Sequence, residues 1–310
     1  MKLEKQYIKQ NNNVFLSLNT GFAVNRFTSL DYFAEFISEF LKIDHLQLTS
    51  DFMMMNMDNK NILRHLKKLE KVLIKKNIKI NSTFTGAYSR LNHLSHPDKE
   101  HQNFWIKWFK NFFYYSKKFG ASYSGSHLGI AGIDEKKVLN SILRKRLLRN
   151  WNILSEYAYK IGLKGIIWEP MSIDREFGEK INKTKEINTL LNKNTRLPFY
   201  LCLDIAHGDE TSNNKSDYNP YDLIDKLSKI SPVIHLKQKV KNNHAHLPFT
   251  KKNNKSGIVK GKKIINILNK KKIKKRIELS LELSFKEREK VESKMFSDLK
   301  ESIIYWKKVI

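Results

Sequence analysis

Short apolar runs alternate with longer segments of helical periodicity along almost the whole chain. The short runs are rich in β-branched and aromatic residues and predict strands. The segments between them carry apolar residues three to four positions apart and predict helices. The predicted strands are residues 14–18, 45–49, 78–84, 122–127, 165–168, 199–203, 232–236 and 277–283. The predicted helices are residues 29–41, 59–75, 97–119, 135–161, 178–191, 220–230, 260–269 and 290–309.

Strands that alternate with helices are typical of a parallel sheet joined by right-handed crossovers. Eight such units in about 300 residues predict an α/β fold of the closed (β/α)₈ type, a TIM barrel. No segment rich in Pro, Gly and Ser divides the chain, so we expect one domain over residues 1–310. A doubly wound open sheet is the alternative, but no G-x-G-x-x-G follows the first predicted strand.

Composition narrows the class of protein. Hydrophobic residues make up 40% and aromatic residues 11% of the 310 residues, which is enough for a sizeable core and excludes a disordered tail protein. No run approaches 18 apolar residues, so no membrane span is expected. The first residues lack the apolar segment of a secretory signal, and the single cysteine, Cys202, excludes an internal disulfide. These features predict a cytoplasmic protein.

The charge raises the question of a nucleic-acid partner, because 58 Lys and Arg stand against 31 Asp and Glu, a net charge of +27. Only ten of these basic residues are arginines, the type that base readout and bidentate phosphate clamps favour. The lysines are spread along the predicted helices. We interpret the charge as a solvated basic surface without a nucleic-acid partner, although the dense basic run at residues 260–276 leaves that alternative open.

Ionisable residues stand at the ends of four consecutive predicted strands. Glu169 ends the fifth strand, Asp204 ends the sixth, His235 lies in the seventh and Glu282 in the eighth. The carboxyl ends of barrel strands meet at one mouth, so these side chains are expected to converge. Three carboxylates in a small volume require a cation, and oxygen donors with one imidazole suit Mn²⁺, Mg²⁺ or Co²⁺, with Zn²⁺ as an alternative. The other interpretation is that each residue pairs locally.

The order Glu, Asp-x-x-His, His, Glu over these strands resembles the xylose isomerase-like sugar isomerases and epimerases. Longer segments resemble the D-erythrulose 1-phosphate 3-epimerase branch of that family. They are LNTGFAVNRF (18–27), STFTGAYSRLNHLSHPD (82–98), GSHLGI (125–130), WEPMSIDREFG (168–178), CLDIAHGD (202–209), IHLKQ (234–238), HLPFT (246–250) and LELSFKERE (281–289). This resemblance extends over essentially the whole chain. It implies a TIM barrel with one divalent metal ion, Mn²⁺ foremost, and a homodimer or homotetramer.

The resemblance also implies roles for the site residues. Glu169 and Glu282 would be both metal ligands and the acid–base pair, Asp204 and His235 would be ligands only, and His207 would contact substrate. Related epimerases place an arginine shortly after the metal histidine. The corresponding stretch here, KQKVKNNH, has none. That contact is therefore either missing here or made by a lysine.

A phosphorylated substrate needs cationic or hydroxyl donors at the far end of the pocket. The candidates stand after strand ends or in the long loops at 85–95, 205–219 and 239–259, and for each the alternative is a solvated loop residue. They are Arg90, Arg175, Lys237, Lys239, His246 and Thr250. His127, at the end of the fourth predicted strand, is a further candidate for substrate binding or a strand-end histidine.

Together these features predict a metal-dependent sugar-phosphate 3-epimerase of carbohydrate metabolism, in erythritol catabolism by the same resemblance. It would interconvert L- and D-erythrulose 1-phosphate by proton abstraction and return through an enediolate. An aldose–ketose isomerase is an alternative with a similar ligand set. An abasic-site DNA endonuclease of the same barrel superfamily is another. Such nucleases need further histidines from early strands, for which His45 would face the wrong end while His93, His96 and His127 are available.

Overall fold

A computed structural model describes residues 13–89, 94–135, 140–240, 243–286 and 289–310. Within these ranges eight parallel strands close into a barrel in the order β1-β10-β7-β6-β5-β4-β3-β2. The barrel strands are β1 Val14–Asn19, β2 His45–Thr49, β3 Lys79–Phe84, β4 Tyr123–Ser126, β5 Gly165–Trp168, β6 Phe199–Asp204, β7 Val233–Leu236 and β10 Ile277–Leu281. The predicted (β/α)₈ barrel is confirmed, and the open-sheet alternative is wrong because β1 pairs with both β2 and β10.

The described helices follow the strands in sequence. They are α1 Leu30–Glu35, α2 Asn59–Lys75, α3 Lys99–Lys118, α4 Asn140–Lys160, α5 Ile181–Asn192, α6 Pro220–Leu227, α7 Lys251–Ser256, α8 Gly261–Lys270 and α9 Met295–Lys307. Short 3₁₀ turns occupy Thr20–Ala23, Asp174–Glu176, Lys215–Asp217, Ser228–Ile230 and Glu292–Lys294. The first helix is shorter than predicted, because its second half, Phe36–Phe40, forms a π-helical turn. The predicted start of the fourth helix falls partly on residues 136–139, outside the described residues.

Side-chain oxygens define where several helices begin. Ser29 accepts a hydrogen bond from the backbone N–H of Tyr32, and Asp58 accepts one from that of Asn61. Such caps satisfy backbone donors that have no partner within the helix. Ser29 and Asp58 therefore fix the positions at which α1 and α2 begin.

Two apolar layers hold the barrel. The larger one lies between strands and helices; on β10 it includes Ile277, Leu279 and Leu281, while the alternate residues turn to the barrel interior. A small apolar cluster of Phe84, Ile167, Cys202 and Val233 is separate from it. Full burial of one large apolar side chain contributes about 1.5–3 kcal/mol, so the outer layer dominates stability. The interior of the barrel is left largely to polar side chains.

The connection after β7 is more ordered than the loop predicted over residues 239–259. It contains an antiparallel pair, β8 Gln238–Val240 and β9 Asn243–Leu247, followed by α7. The side chain of Gln238 is completely buried, and its Oε1 accepts from the backbone N–H of Val259 at 3.0 Å. This anchor holds the connection against the barrel mouth. None of the helices in the described ranges has the length and apolar character needed to cross a membrane.

Candidate metal centre and active site

The barrel brings together the four residues predicted as metal ligands. Glu169 directly follows β5, Asp204 is the last residue of β6, His235 is the third residue of β7, and Glu282 directly follows β10. These four strands are consecutive neighbours in the barrel. One ligand atom from each residue lies within 4.8 Å of the others. The carboxyl ends of adjacent parallel strands thus produce one compact group of donors.

The imidazole of His235 lies between the two glutamates. Its Nδ1 is 3.3 Å from Glu169 Oε1 and 3.5 Å from Glu282 Oε2. His235 and Asp204 are fully buried and Glu169 nearly so, whereas the Glu282 side chain is 22% exposed. Glu282 therefore faces the mouth of the barrel, and Glu169 lies on the inner side of the group.

In the metal-free protein Glu169 and Glu282 are ionised and the His235 imidazole holds a second proton, which a bound cation would displace. Burial by itself would raise the pKa of Glu169 and of Glu282. His235 together with His127 at Glu169, and with Lys237 and His246 at Glu282, outweighs burial, and both pKa values lie well below the usual range. Burial would lower the pKa of His235, yet the adjacent Cys202 thiol and the two glutamates raise it well above its usual value. Ionised carboxylates with an imidazole form a donor set that fits Mn²⁺, Mg²⁺, Co²⁺ or Zn²⁺.

Lys237 lies among these carboxylates. It follows β7, is 2% exposed, and forms an ion pair with Asp204. Its Nζ is also 3.3 Å from Glu282 Oε2 and 2.9 Å from His246 Nε2. Burial would lower the pKa of Lys237, but the charges of Asp204 and Glu282 raise it instead. The sequence interpretation placed Lys237 at the phosphate end of the pocket, whereas the structure places it beside the carboxylates predicted as metal ligands.

The histidines predicted to bind substrate surround the same centre. His127 Nε2 lies 3.1 Å from Glu169 Oε2. His207 Nε2 is 3.3 Å from Asp204 Oδ2, and its Nδ1 is 3.2 Å from the carbonyl oxygen of Pro170. His246, carried by β9, lies 3.3 Å from Glu282 Oε2 through its Nδ1.

Two other candidates hold loops of the barrel mouth. The Arg175 guanidinium donates to the carbonyl oxygen of Ala131 at 2.7 Å and so ties the loop after β5 to the loop after β4. Lys239 is 2.6 Å from Glu210 and donates to the carbonyl of Ala206 at 3.1 Å.

The remaining candidates are Thr250 and Arg90. Thr250 caps α7 by accepting from the backbone N–H of Asn253. Arg90 lies outside the described residues, so the structure gives no position for that predicted phosphate ligand.

The comparisons with known proteins agree with this geometry. No family model matches the chain. The D-erythrulose 1-phosphate 3-epimerase of Brucella abortus (strain 2308) is 33% identical over 296 residues, which cover 94% of each protein. The chain belongs to the D-erythrulose 1-phosphate 3-epimerase family. It is therefore an isomerase of the epimerase class, as predicted.

Solved structures place this family member among the xylose isomerase-like barrels. A putative xylose isomerase from Rhodospirillum rubrum ATCC 11170 superimposes with a TM-score of 0.85 at 19% identity, covering 95% of this chain and 99% of that one. The D-psicose 3-epimerase of Clostridium cellulolyticum H10, solved with D-tagatose, gives a TM-score of 0.69 at 12% identity, covering 95% and 98%. At such identities the likeness concerns the fold, and it confirms the predicted barrel type.

Sequence reasoning missed the polar residues behind His235 in this epimerase. Gln47 on β2 is completely buried, and its Oε1 lies 2.7 Å from His235 Nε2. Cys202 Sγ is 3.2 Å from the same nitrogen. A signal was present, because the β2 sequence His-Leu-Gln-Leu-Thr alternates polar and apolar residues and places Gln47 on the polar face.

Proposed function

We propose that the protein is a metal-dependent sugar-phosphate 3-epimerase that interconverts L- and D-erythrulose 1-phosphate. The observation that carries this proposal is the arrangement of Glu169 and Glu282. The two glutamates come from strands three steps apart in the barrel and contact His235 Nδ1, at 3.3 and 3.5 Å. The name of the relative that is 33% identical, a D-erythrulose 1-phosphate 3-epimerase, supports the substrate class, a small phosphorylated ketose.

Epimerisation beside a ketone requires removal of the α-proton on one face and its return on the other. Glu169 and Glu282 would perform the two transfers through an enediolate, each acting on one epimer as base and on the other as conjugate acid. Glu169, Asp204, His235 and Glu282 would hold the metal ion, which when bound supplies Lewis-acid stabilisation of the developing oxyanion. Mn²⁺ is our first choice of ion.

Each proposed base has its own polar partner. His127 contacts Glu169 Oε2 at 3.1 Å, on the buried side of the centre. Lys237 and His246 contact Glu282 Oε2, both at 3.3 Å, on the side that opens to the mouth. The two carboxylates therefore have different neighbours, one within the barrel and one towards its mouth.

The substrate oxygens and phosphate would be bound around this pair. His207 lies beside both Asp204 and Glu169, at 3.3 and 3.6 Å, in a position to hold a substrate oxygen. Lys237 and His246 supply donors on the Glu282 side. Arg175, in the loop after β5, and Arg90, which lies outside the described residues, are our proposed cations for the phosphate end.

Proton NMR in D₂O with Mn²⁺ and D-erythrulose 1-phosphate tests the proposal. Loss of the C3 proton signal together with appearance of the L epimer is the expected result. A parallel reaction with D-erythrulose 4-phosphate, whose C1 carries a free hydroxyl, covers the alternative: exchange at its C1 with formation of an aldose phosphate would identify an aldose–ketose isomerase instead. No exchange at C3 of D-erythrulose 1-phosphate would exclude that compound as the substrate.

A further inference from the structure

The ring of His235 has two different sides. Its Nδ1 faces the carboxylates of Glu169 and Glu282, and its Nε2 faces the barrel interior, where Gln47 Oε1 lies 2.7 Å away. His235 and Gln47 are both completely buried. Water therefore does not compete for this hydrogen bond, and the protein alone decides which ring nitrogen carries the proton.

The direction of the hydrogen bond can be read from a backbone group. The N–H of Gly21 can only donate, and it donates to Asn19 Oδ1 at 2.8 Å. The other end of the Asn19 amide, Nδ2, then donates to Gln47 Oε1 at 2.6 Å. Since Gln47 Oε1 is an acceptor, His235 Nε2 must be the donor.

The opposite end of the Gln47 amide agrees with this direction. Its Nε2 donates to Ser82 Oγ at 3.0 Å, which leaves the Ser82 hydroxyl proton to donate to the Glu278 carboxylate. The contacts follow the barrel register, because Asn19 pairs with Gln47 and Gln47 pairs with Ser82 on neighbouring strands. Every bond in the series has one consistent direction.

A proton on Nε2 leaves the lone pair of neutral His235 on Nδ1, directed at the two glutamates. That is the tautomer in which the imidazole can ligate a metal ion among the carboxylates. We propose that Asn19 and Gln47 are positioning residues that fix the His235 tautomer and thereby set the metal affinity of the centre. This inference rests on the proposed metal role of His235.

Cys202 does not replace Gln47 in this role. Its sulfur lies 3.2 Å from His235 Nε2, farther than Gln47 Oε1 at 2.7 Å, and a thiol is a weak acceptor. The amide oxygen of Gln47 is the stronger of the two acceptors.

Substitutions at Gln47 test the acceptor, with Mn²⁺ alone as the ligand and free Mn²⁺ measured by electron paramagnetic resonance. Gln47→Met removes the acceptor at similar volume and should weaken Mn²⁺ binding about 10- to 100-fold. Gln47→Glu keeps an acceptor oxygen and should restore binding to within a few-fold of the parent protein. The control Ser17→Ala removes a buried hydroxyl that contacts Glu278 at 2.7 Å but not His235, and should leave Mn²⁺ binding unchanged.

Asn19→Asp tests the direction of the series. The aspartate still accepts from Gly21 but presents a second acceptor to Gln47, so the Gln47 amide must turn and offer its NH₂ group to His235. Mn²⁺ binding should weaken at least about 10-fold, although an added negative charge by itself would strengthen it. Unchanged or tighter binding in Asn19→Asp would overturn the proposal.

A measurement on the unsubstituted protein needs no variant to fold. Long-range ¹H–¹⁵N correlation of the Zn²⁺-loaded protein should show His235 protonated at Nε2 and ligated through Nδ1. The opposite assignment would contradict the proposal. These readouts use the metal alone, so they stay informative if D-erythrulose 1-phosphate proves not to be the substrate.

Discussion

Lys237 Nζ lies 3.3 Å from Glu282 Oε2, inside the same group of carboxylates that surrounds His235. The lysine also forms an ion pair with Asp204 and is 2% exposed. The chain thus places one of its own cations beside the proposed metal ligands. Buried carboxylates repel one another strongly, so positive charge is needed among them. The metal ion and Lys237 would together neutralise the three carboxylates.

Lys237→Met should therefore destabilise the metal-free protein more than the Mn²⁺-bound protein. Removing one partner of a buried ion pair destabilises a protein by about 3–5 kcal/mol. Bound Mn²⁺ restores positive charge beside Asp204 and Glu282, so Lys237→Met should lower the free energy of unfolding less when Mn²⁺ is present. Urea unfolding in EDTA and in saturating Mn²⁺ measures both values.

Lys239→Met is the matched control for this comparison. Lys239 is also mostly buried, but it pairs with Glu210 in the loop after β6. Lys239→Met should therefore lower the free energy of unfolding by the same amount with and without Mn²⁺. If Lys237→Met lowers the free energy of unfolding equally in EDTA and in Mn²⁺, the lysine and the metal ion do not neutralise the same carboxylates.

Glu169→Gln and Glu282→Gln should each abolish epimerisation while the barrel stays folded. Removal of a positioned base lowers a proton-transfer rate by about 10²–10⁴-fold, and each substitution also removes a charged metal ligand. Epimer formation is followed by proton NMR with saturating Mn²⁺, and folding by circular dichroism. Full activity in either variant would exclude a mechanism with two glutamate bases.

Isotope exchange separates the two bases further. The glutamate that remains can still remove the C3 proton of the epimer that it faces, since each base acts on one face. Each variant should therefore show slow deuterium exchange into one epimer only, and the two variants should prefer opposite epimers. The same epimer exchanging in both variants would assign both transfers to one side of the substrate.

The positions of the four proposed ligands could be predicted from the sequence because they depend on local information. Glu169 and Asp204 each end an apolar run, Glu282 lies near the end of another, and a parallel barrel brings all carboxyl ends of its strands to one mouth. Their proximity follows from strand order together with the register, which pairs Asp204 with His235. Neighbouring strands in the chain are neighbours in this part of the barrel.

The positions of Lys237 and Gln47 depend on information that the local sequence lacks. Lys237 could serve a phosphate or a carboxylate equally well, and only the closure of β7 against β10 places it beside Glu282. Gln47 reaches His235 across the barrel interior, over 188 positions of sequence. The hairpin after β7 was missed because residues 238–247 are polar and show neither strand nor helix periodicity clearly.

Gly125 on β4 should tolerate no side chain. A methyl group there would lie 1.6 Å from the carbonyl oxygen of Ile167 on β5. The clash is with backbone, which cannot rotate away, so Gly125→Ala should reduce the free energy of unfolding by about 3 kcal/mol or more. Urea unfolding measures the loss.

Gly120→Ala provides the comparison for this prediction. Gly120 has a φ of +87°, and the nearest atom to an added methyl group is 4.0 Å away. The decrease in unfolding free energy for Gly120→Ala should reflect backbone strain alone, about 1–2 kcal/mol. A smaller loss at Gly125 than at Gly120 would show that β4 and β5 can separate without much loss of stability.

Glu278 gives the barrel interior a pH dependence of its own. It is completely buried, and burial raises its pKa above the usual value although Asn81, Ser17 and Ser82 donate hydrogen bonds to it. A carboxyl group with a raised pKa in the folded state binds its proton more tightly there than in the unfolded chain. Its contribution to stability is therefore present below the unfolded pKa and is lost as pH rises through the folded pKa.

Glu278→Gln removes that titration. The stability of the variant relative to the parent protein should increase as pH rises above about 4, the ordinary pKa of a glutamate. At low pH the parent should be the more stable, because protonated Glu278 still accepts the hydrogen bonds of Ser17 and Asn81. Urea unfolding at a series of pH values measures the difference.

The control Glu70→Gln, at an exposed position of α2, should show no such trend. A difference that stays constant with pH for Glu278→Gln would mean that the buried carboxyl keeps an ordinary pKa, and that the donors around it offset its burial completely.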